Sequence, residues 1–364
     1  MKGLYIHLPF CKTICTYCDF AKQMAKEEQK DRYIEAVLQE LTEKKAELTD
    51  IRSVYFGGGT PNALSIRQLK RLLDSLEEIL SQSSENTIEV NAELLTEEQI
   101  ELFARFHINR ISIGVQTFDA QLLKKIGRHH RFEQVRNGIK LMKKHGIHNI
   151  NLDLMFALPG QTLKQVQEDI RIALELPITH LSYYSLILEE KTVLNYQLKH
   201  GQIILPDDDL VADMHDYIHQ TLKMSAFKQY EISNYAKEGY ASVHNLGYWN
   251  CEDYIGIGAS AVGFLQGVRY QNEWSLPAYF KHRLKEKQIL SLQEQKEEFM
   301  MMGLRKIDGI LISEYHRRFF SYPWEDFLLQ PLLDKGWIEM TKEKIKIKEE
   351  RIFISNTVFE AFVS

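Results

Sequence analysis

Residues 4–18 read LYIHLPFCKTICTYC, a short apolar run typical of a β-strand that passes directly into three cysteines. Cys11, Cys15 and Cys18 have the spacing C-x3-C-x2-C. Thiolates are soft ligands that suit iron–sulfur clusters and zinc. The alternative is a structural zinc site with His7 or a distant residue as the fourth ligand, but such sites usually pair two cysteine knuckles. No second pair occurs, so the spacing favours a cluster with one iron free of protein ligands.

Composition indicates an ordinary globular protein of 364 residues, 44% hydrophobic and 26% charged, with a formal net charge of −5. The strongly basic balance that would suggest a nucleic-acid partner is absent. No apolar run is long enough to cross a bilayer, and the amino-terminal residues do not have the pattern of a signal peptide. We therefore expect a cytoplasmic protein, in which a tight cysteine cluster is more often a metal site than a disulfide framework.

Strand-like and helix-like patterns alternate over the first 190 or so residues. The predicted strands are Gly3–Leu8, Ser53–Phe56, Thr87–Asn91, Arg110–Gln116, His148–Phe156 and His180–Leu188. The predicted helices are Asp31–Leu48, Ser65–Leu80, Thr96–Phe106, Phe132–His145 and Thr162–Leu176. Six strand–helix alternations predict an α/β fold with a parallel sheet, in the form of an open, partial (βα)6 barrel. The cysteines then lie at the carboxyl end of the first strand, where such sheets carry their functional loops.

The rest of the chain has a different pattern. We expect three regions: the partial barrel over 1–205, an extension over 206–290 and a smaller α+β, winged-helix-like domain over 291–364. The extension begins with a helix over Asp207–Met224. The last region carries wing-like strands over Trp337–Met340, Lys344–Lys348 and Ile352–Ile354, for which we predict a packing role.

A glycine run and several polar residues mark the ends of the predicted strands. Gly57-Gly58-Gly59-Thr60-Pro61 follows the second strand, and three glycines allow a backbone to approach a ligand closely. Four polar residues lie at or near the ends of later strands: Glu89, Gln116, Arg128 and Asp153. Each one alone is more often a structural hydrogen-bond partner, because a charged group in an apolar strand needs one. Together they suggest a ligand with amine, carboxylate and ribose groups.

These motifs carry a family resemblance. The cysteine spacing and Gly-Gly-Gly-Thr-Pro on a βα barrel resemble the radical S-adenosylmethionine (SAM) superfamily. Residues 5–11 (YIHLPFC), 114–118 (GVQTF) and 153–160 (DLMFALPG) are similar to the oxygen-independent coproporphyrinogen III oxidases and the related heme chaperones. The resemblance covers nearly the whole chain.

The resemblance implies a [4Fe–4S] cluster held by Cys11, Cys15 and Cys18, with SAM chelating the open iron. Two sets of positions match family contacts to SAM. The first set is Tyr5, Gly58 and Glu89; the second, which surrounds a further SAM in the oxidase, is Tyr17, Gly59, Thr60, Gln116, Arg128 and Asp153.

Several departures from the oxidase match the chaperones instead. The oxidase has a further cysteine where this chain has Phe20, and only ten residues precede Cys11. One loop also departs from the chaperones, because Asn91-Ala92-Glu93 stands where Asn-Pro-Gly is usual. We therefore predict a heme-binding chaperone that delivers heme to acceptor hemoproteins. The alternative is the oxidase reaction on coproporphyrinogen III, an enzymatic activity that we do not expect.

Residues 244–249, HNLGYW, resemble the H-N-x-x-Y-W motif of the chaperones. His244 is a candidate axial ligand of heme iron, since imidazole ligates heme and the aromatic rings can pack on a porphyrin. The alternative is a histidine hydrogen-bonded at a domain junction. Cys251 is a rival thiolate ligand or a plain core residue. A homodimer is compatible with the sequence, which identifies neither the acceptor nor the electron donor.

Overall fold

The computed structural model describes residues 2–363, which form one 12-stranded sheet, one three-stranded sheet and helices packed around both. The strands are β1 Lys2–Leu8, β2 Ile51–Gly58, β3 Glu85–Val90, β4 Arg110–Gln116, β5 Asn149–Phe156, β6 His180–Ser185, β7 Lys228–Glu231, β8 Asn234–Ala236, β9 Tyr254–Ile257, β10 Val262–Leu265, β11 Val268–Asn272, β12 Leu284–Ile289, β13 Ile310–Leu311, β14 Ile338–Met340 and β15 Lys344–Ile347.

The helices are α1 Glu27–Glu43, α2 Ile66–Asp74, α3 Glu77–Gln82, α4 Glu97–Arg105, α5 Ala120–Lys125, α6 Phe132–Lys144, α7 Leu163–Glu175, α8 Val193–Lys199, α9 Asp208–Lys223, α10 Val243–Trp249, α11 Leu276–Lys281, α12 Leu292–Gly303, α13 Ile312–Phe319, α14 Pro323–Asp326, α15 Gln330–Asp334 and α16 Ser355–Glu360. Three short 3-10 helices span Pro61–Ala63, Ala92–Leu94 and Glu349–Ile354. None of the described helices is both long and apolar enough to span a membrane.

The large sheet confirms the predicted fold class. Its order is β12-β11-β10-β9-β1-β2-β3-β4-β5-β6-β8-β7, and β1 to β6 are parallel neighbours joined by helical crossovers. Strands from beyond residue 205 extend both edges of this core: β9 pairs in parallel with β1, and β8 pairs antiparallel with β6. The parallel strands therefore share one carboxyl end and one amino end.

The two faces of the sheet differ in chemistry because side chains alternate along each strand. On β1, Leu4, Ile6 and Leu8 are fully buried in the core that the sheet forms with the helices, which also contains Ile34 and Val37 of α1. We call this side the outer face. The other side, the inner face, carries the polar and aromatic side chains listed here: Tyr5, His7, Ser53, Tyr55, Glu85, Glu89, Arg110 and Asp153.

Three of the predicted helices begin at residues that are N-caps in the structure, and one of these predicted helices is in fact two helices. Ser65, Thr96 and Thr162 each accept a hydrogen bond from the backbone three residues further on, which satisfies an otherwise unpaired N–H. The predicted helix Ser65–Leu80 breaks at Ser75-Leu76 into α2 and α3. The periodicity alone did not reveal the break, because Leu72, Leu76 and Leu80 all stay buried across it.

The last region has its own small sheet, in the order β13-β15-β14, and its own apolar core. Met300, Tyr315 and Ile345 are fully buried there. Two of the predicted wing strands are present as β14 and β15. The prediction of a strand over Ile352–Ile354 is wrong, since these residues end a 3-10 helix, and the third strand is instead β13.

Candidate metal centre

The cysteine loop, residues 9–26, leaves the carboxyl end of β1 and is closed at its neck by backbone hydrogen bonds. Gln23 N donates to Pro9 O at 2.7 Å, and Cys11 N donates to Gln23 O at 3.0 Å. The far side of the loop is held by the α5–α6 connection, where Thr16 N donates to Ile126 O at 3.1 Å. The loop is thus closed at its neck and held near its middle by the α5–α6 connection.

The three thiols of this loop are free and partly exposed. All the cysteines are free, and Cys11, Cys15 and Cys18 are each between buried and exposed. Burial raises the pKa of the Cys11 and Cys18 thiols, and the neighbouring thiols raise it further, while the Lys22 ammonium lowers it. The chain thus gathers three soft donors that repel one another as thiolates, an arrangement that a bound cationic cluster would stabilise.

The glycine run sets the start of this loop. Gly59 N donates to Leu8 O at 2.9 Å, and Thr60 N donates to Phe10 O at 2.8 Å. A Cβ atom on Gly59 would lie 2.8 Å from Phe10 N, closer than side chains tolerate. The glycines therefore let the end of β2 approach the cysteine loop. This structural role is additional to the close approach of a ligand that the sequence predicts.

Gly58 has a second reason to be glycine. Its φ angle is +109°, a conformation that residues with a side chain rarely adopt. A Cβ atom here would also lie 2.3 Å from the His7 ring. His7 Nε2 lies 2.8 Å from the Ala21 carbonyl, which can only accept, so Nε2 carries the proton. Burial lowers the pKa of His7, and in the neutral ring Nδ1 accepts from Tyr5 Oη at 2.9 Å.

Glu89 lies on the inner face beside the glycine run. Its carboxylate accepts from Tyr55 Oη at 2.7 Å and from Gly58 N at 3.2 Å. Burial raises the pKa of Glu89 to about 7, and the nearby Asp153 raises it as well. A carboxyl group whose pKa lies near neutral pH, and which already accepts two hydrogen bonds, can also bind an amine or a hydroxyl group of a ligand.

The second predicted set of SAM positions is only partly brought together. Thr60 Oγ1 donates to Cys11 Sγ at 3.5 Å, and Arg128 Nη1 lies 4.0 Å from Cys15 Sγ. Tyr17 lies against the same arginine, and burial raises the pKa of its hydroxyl group.

Gln116 and Asp153 complete the second set. Gln116 takes the left-handed conformation with a φ of 66°, at the end of β4. Asp153 accepts from Ser112 Oγ at 2.8 Å and from Asn151 Nδ2 at 2.9 Å, and burial raises its pKa. Asp153 therefore has structural hydrogen-bond partners already, as the alternative from the sequence allowed.

The site also contains buried polar atoms that suit a ligand with an amine and a carboxylate. Among residues 2–363, Arg128 Nε and Glu93 Oε2 have no hydrogen-bond partner, although both atoms are buried. Such groups usually find one. With three free thiols alongside, the residues present fit a cluster and a chelating SAM: Cys11, Cys15 and Cys18 would hold the iron, and Arg128 and Glu93 would face the charged groups of SAM.

His244 lies at the other end of the sheet. Its Nδ1 lies 2.9 Å from Ser53 Oγ, near the amino end of β2, and its Nε2 lies 3.1 Å from Tyr248 Oη. The ring stacks on Tyr55 with centroids 5.0 Å apart, and burial, with help from Arg110, lowers its pKa to about 3. Both ring nitrogens are engaged, which matches the hydrogen-bonded alternative rather than a free axial ligand.

Cys251 belongs to a third environment. Its Sγ lies 3.7 Å from the Glu298 carbonyl, and the side chain packs against the core of the last region. Burial raises its pKa to about 12, so the thiol stays protonated at neutral pH. These contacts match the core-residue alternative.

Sequence reasoning missed four polar residues of the inner face and its rim: Tyr55, Glu85, Asn91 and Arg110. Arg110 is 2% exposed. Burial lowers the pKa of its guanidinium group, but the negative charge of Glu85 raises that pKa and keeps the group protonated. Glu85 and Glu89 are four residues apart on one strand and therefore on one face, a signal that was available. Asn91 directly follows β3, at the strand end where polar residues were sought.

The partial barrel and the three-cysteine loop define the class of radical SAM proteins. The family model for the radical SAM superfamily matches residues 5–173, and the model for the HemN C-terminal domain matches residues 290–353.

Proteins of similar sequence place the chain in a narrower family within this class. The chain is 40% identical to the heme chaperone HemW of Lactococcus lactis, over 100% of this chain and 97% of the relative. It is 38% identical to HemW of Bacillus subtilis, over 100% and 99%. The solved structure of the Escherichia coli coproporphyrinogen III oxidase HemN shares the fold, with a TM-score of 0.86 at 20% identity, covering 99% of this chain and 89% of that one. The chain belongs to the HemW family.

Proposed function

We propose that this protein is a cytoplasmic heme chaperone that binds a [4Fe–4S] cluster, SAM and heme, and passes heme to acceptor hemoproteins. The relatives that match it from end to end are named heme chaperones. When bound, the cluster and SAM supply one-electron chemistry at the sulfonium. The chain's own part is to hold the cluster through three thiols and to orient SAM with Arg128, Glu93 and Glu89.

The observation that carries the heme proposal is a groove on the inner face beside the cysteine loop. Its volume is about 290 Å³, near the lower end of the range for ligand pockets. Five aromatic side chains contribute to its lining: Tyr5, Phe20, Tyr248, Tyr254 and Trp274. Phe20 is 65% exposed and Trp274 is 52% exposed, although both are large and apolar. Flat aromatic walls suit a planar, apolar macrocycle.

The groove brings together two of the features that match the chaperones. Phe20 stands where the oxidase has a cysteine, and Tyr248 comes from the H-N-x-x-Y-W motif. In this proposal His244 is not an iron ligand. It positions Tyr248 through a hydrogen bond of 3.1 Å between Nε2 and the Tyr248 hydroxyl group.

An anaerobic heme titration followed by Soret absorbance tests the proposal. We expect the full-length protein to saturate near one heme per chain. Trp274→Ala and Phe20→Ser together should weaken heme affinity about tenfold or more, because each aromatic contact contributes about 0.5–1.5 kcal/mol beyond its buried area. The matched control is Phe320→Ser with Trp324→Ala, two exposed aromatic residues of the last region, which should leave the affinity unchanged.

Iron content is measured in every variant, because Phe20 lies two residues after Cys18 and its replacement can disturb the cluster loop. If the double variant binds less iron, the heme affinity of Trp274→Ala alone is compared with that of the unmodified protein. Absence of stoichiometric heme binding by the unmodified protein would contradict the chaperone proposal. A Soret band lost only in His244→Ala, with the groove variants normal, would restore His244 as the axial ligand.

A second assay addresses the enzymatic alternative. The reconstituted protein is incubated anaerobically with SAM, a reductant and coproporphyrinogen III. We expect no protoporphyrinogen; its formation would show oxidase activity and would contradict a chaperone-only function.

A further inference from the structure

We propose that the side-chain amide of Asn91 is a positioning residue for the cluster: it holds one hydrogen-bond donor against Cys11 and another against Cys15, and thereby raises the reduction potential of the cluster. The proposal rests on the cluster assignment and not on heme binding. Asn91 lies directly after β3, at the carboxyl end of the sheet, between the glycine run and the α5–α6 connection.

The first branch of this arrangement runs through Thr60. Asn91 Nδ2 donates to Thr60 Oγ1 at 3.4 Å, and Thr60 Oγ1 donates in turn to Cys11 Sγ at 3.5 Å. Because the hydroxyl oxygen accepts from the amide, its own proton is directed away from Asn91 and toward the sulfur.

The second branch runs through Arg128. Asn91 Oδ1 accepts from Arg128 Nη1 at 2.8 Å, and the same nitrogen lies 4.0 Å from Cys15 Sγ. Arg128 Nη2 donates to the Gly114 carbonyl, so the guanidinium plane is held from two sides. A Cβ atom on Gly114 would lie 2.6 Å from Nη2, which shows how closely the arginine is seated.

The Asn91 backbone is held separately from its side chain. Asn91 N donates to Asn62 Oδ1 at 3.0 Å, and Asn62 Nδ2 donates to Asn91 O at 3.1 Å. Asn62 is buried, with 2% of its surface exposed. Replacing the Asn91 side chain therefore leaves the anchor of the loop in place, whereas replacing Asn62 removes the anchor and leaves the amide.

Donors that point at cluster sulfurs stabilise the reduced cluster, which carries one more negative charge than the oxidised one. Hydrogen bonds to the sulfurs and local charge are among the factors that set cluster potentials. A fixed cation near Cys15 and a fixed hydroxyl group near Cys11 both act in this direction. Loss of the amide that orients them should make the cluster harder to reduce.

The test is a potentiometric titration of the reconstituted cluster without SAM, with dithionite as the one-electron reductant, redox mediators and electron paramagnetic resonance as the readout. We expect Asn91→Leu, which has a similar size and no hydrogen bonds, to shift the midpoint potential to a more negative value at normal iron content. Asn62→Ala is the matched control and should lower the unfolding temperature with little change in potential. An unchanged potential in Asn91→Leu, or an equal shift in both variants, would overturn the proposal.

Thr60 provides a second measurement if Asn91→Leu fails to assemble the cluster. Thr60→Val removes the hydroxyl group at nearly constant volume and should shift the potential in the same direction. Thr60→Ser keeps the donor and should restore the value of the unmodified protein. Equal potentials in Thr60→Val and Thr60→Ser would show that no donor acts on Cys11, and the inference would fail.

Discussion

The two ends of the parallel sheet carry different chemistry on the same strands. At the carboxyl end, the cysteine loop presents partly exposed thiols, and Arg128 Nε and Glu93 Oε2 lack partners among residues 2–363. At the amino end, the Glu85 carboxylate accepts three hydrogen bonds from the start of α10, and both nitrogens of His244 are engaged. Arg110 Nε, also at the amino end, is likewise buried without a partner among these residues. The two ends therefore differ in their thiols: the carboxyl end presents three of them, whereas the hydrogen bonds of the amino end close the fold.

The strongest way to test this comparison is to remove a thiol. We expect replacement of any one of Cys11, Cys15 or Cys18 by Ala to abolish iron binding and the brown absorbance near 400 nm that the family resemblance implies. Cys251→Ala should keep full iron content, because that thiol packs in a separate core. Iron analysis after anaerobic reconstitution decides the matter, and a normal iron content in a triad variant would refute the ligand assignment.

At the amino end, the corresponding change should affect stability and not the cluster. Glu85→Ala removes the acceptor for Ser242 Oγ, Val243 N and His244 N, and it leaves Arg110 buried without that charge. We expect a loss of about 3–5 kcal/mol in the free energy of unfolding, measured by urea denaturation, with iron content per folded chain unchanged.

The control for Glu85 is Glu78→Ala. Glu78 is exposed, and its replacement should change the free energy of unfolding by less than about 0.5 kcal/mol. Loss of iron in folded Glu85→Ala protein would show that the two ends are not independent.

Replacing Gly58 tests whether the close contact between the glycine run and the His7 ring matters for stability. Gly58→Ala meets both a φ of +109° and the His7 ring, so we expect the free energy of unfolding to fall by roughly 3 kcal/mol. Gly146→Ala is matched, because Gly146 has a φ of +84° with no atom near the added Cβ; it should lose about 1 kcal/mol. Equal losses in the two variants would show that contact with His7 contributes nothing.

The smallest expected effects are in the pH dependence, where the two ends should act in opposite directions. Burial raises the pKa of Glu89 to about 7. Between about pH 4.3 and pH 7 the folded protein therefore holds a proton that the unfolded chain has lost, and its stability falls as the pH rises through this range. Burial lowers the pKa of His244 to about 3. Between about pH 6.5 and pH 3 the unfolded chain binds a proton that the folded protein does not bind, so stability falls as the pH drops through this range.

Each group contributes at most about 1.4 kcal/mol per pH unit. Between pH 5 and 6, Glu89→Gln should make the loss of stability on acidification steeper, and His244→Gln should make it shallower. Urea denaturation across this range measures both slopes. A change of the same sign in the two variants would contradict the assigned protonation states.

The sequence by itself determined the alternation of strands and helices, the placement of the cysteines after β1 and the polar residues at strand ends, because these features depend on local periodicity and spacing. The predicted helices also begin at Ser65, Thr96 and Thr162, which are N-caps in the structure. The local pattern did not reveal the break between α2 and α3, since the buried leucines continue across it.

Only the tertiary structure decided which polar groups meet. Asn91 joins Thr60 to Arg128 across separations of 31 and 37 residues, and His244 meets Ser53 from 191 residues away. The sequence also left the role of His244 open between heme ligand and hydrogen-bonded residue. Such contacts depend on strand order and on which end of the sheet each connection reaches, and short-range pattern carries no information on either.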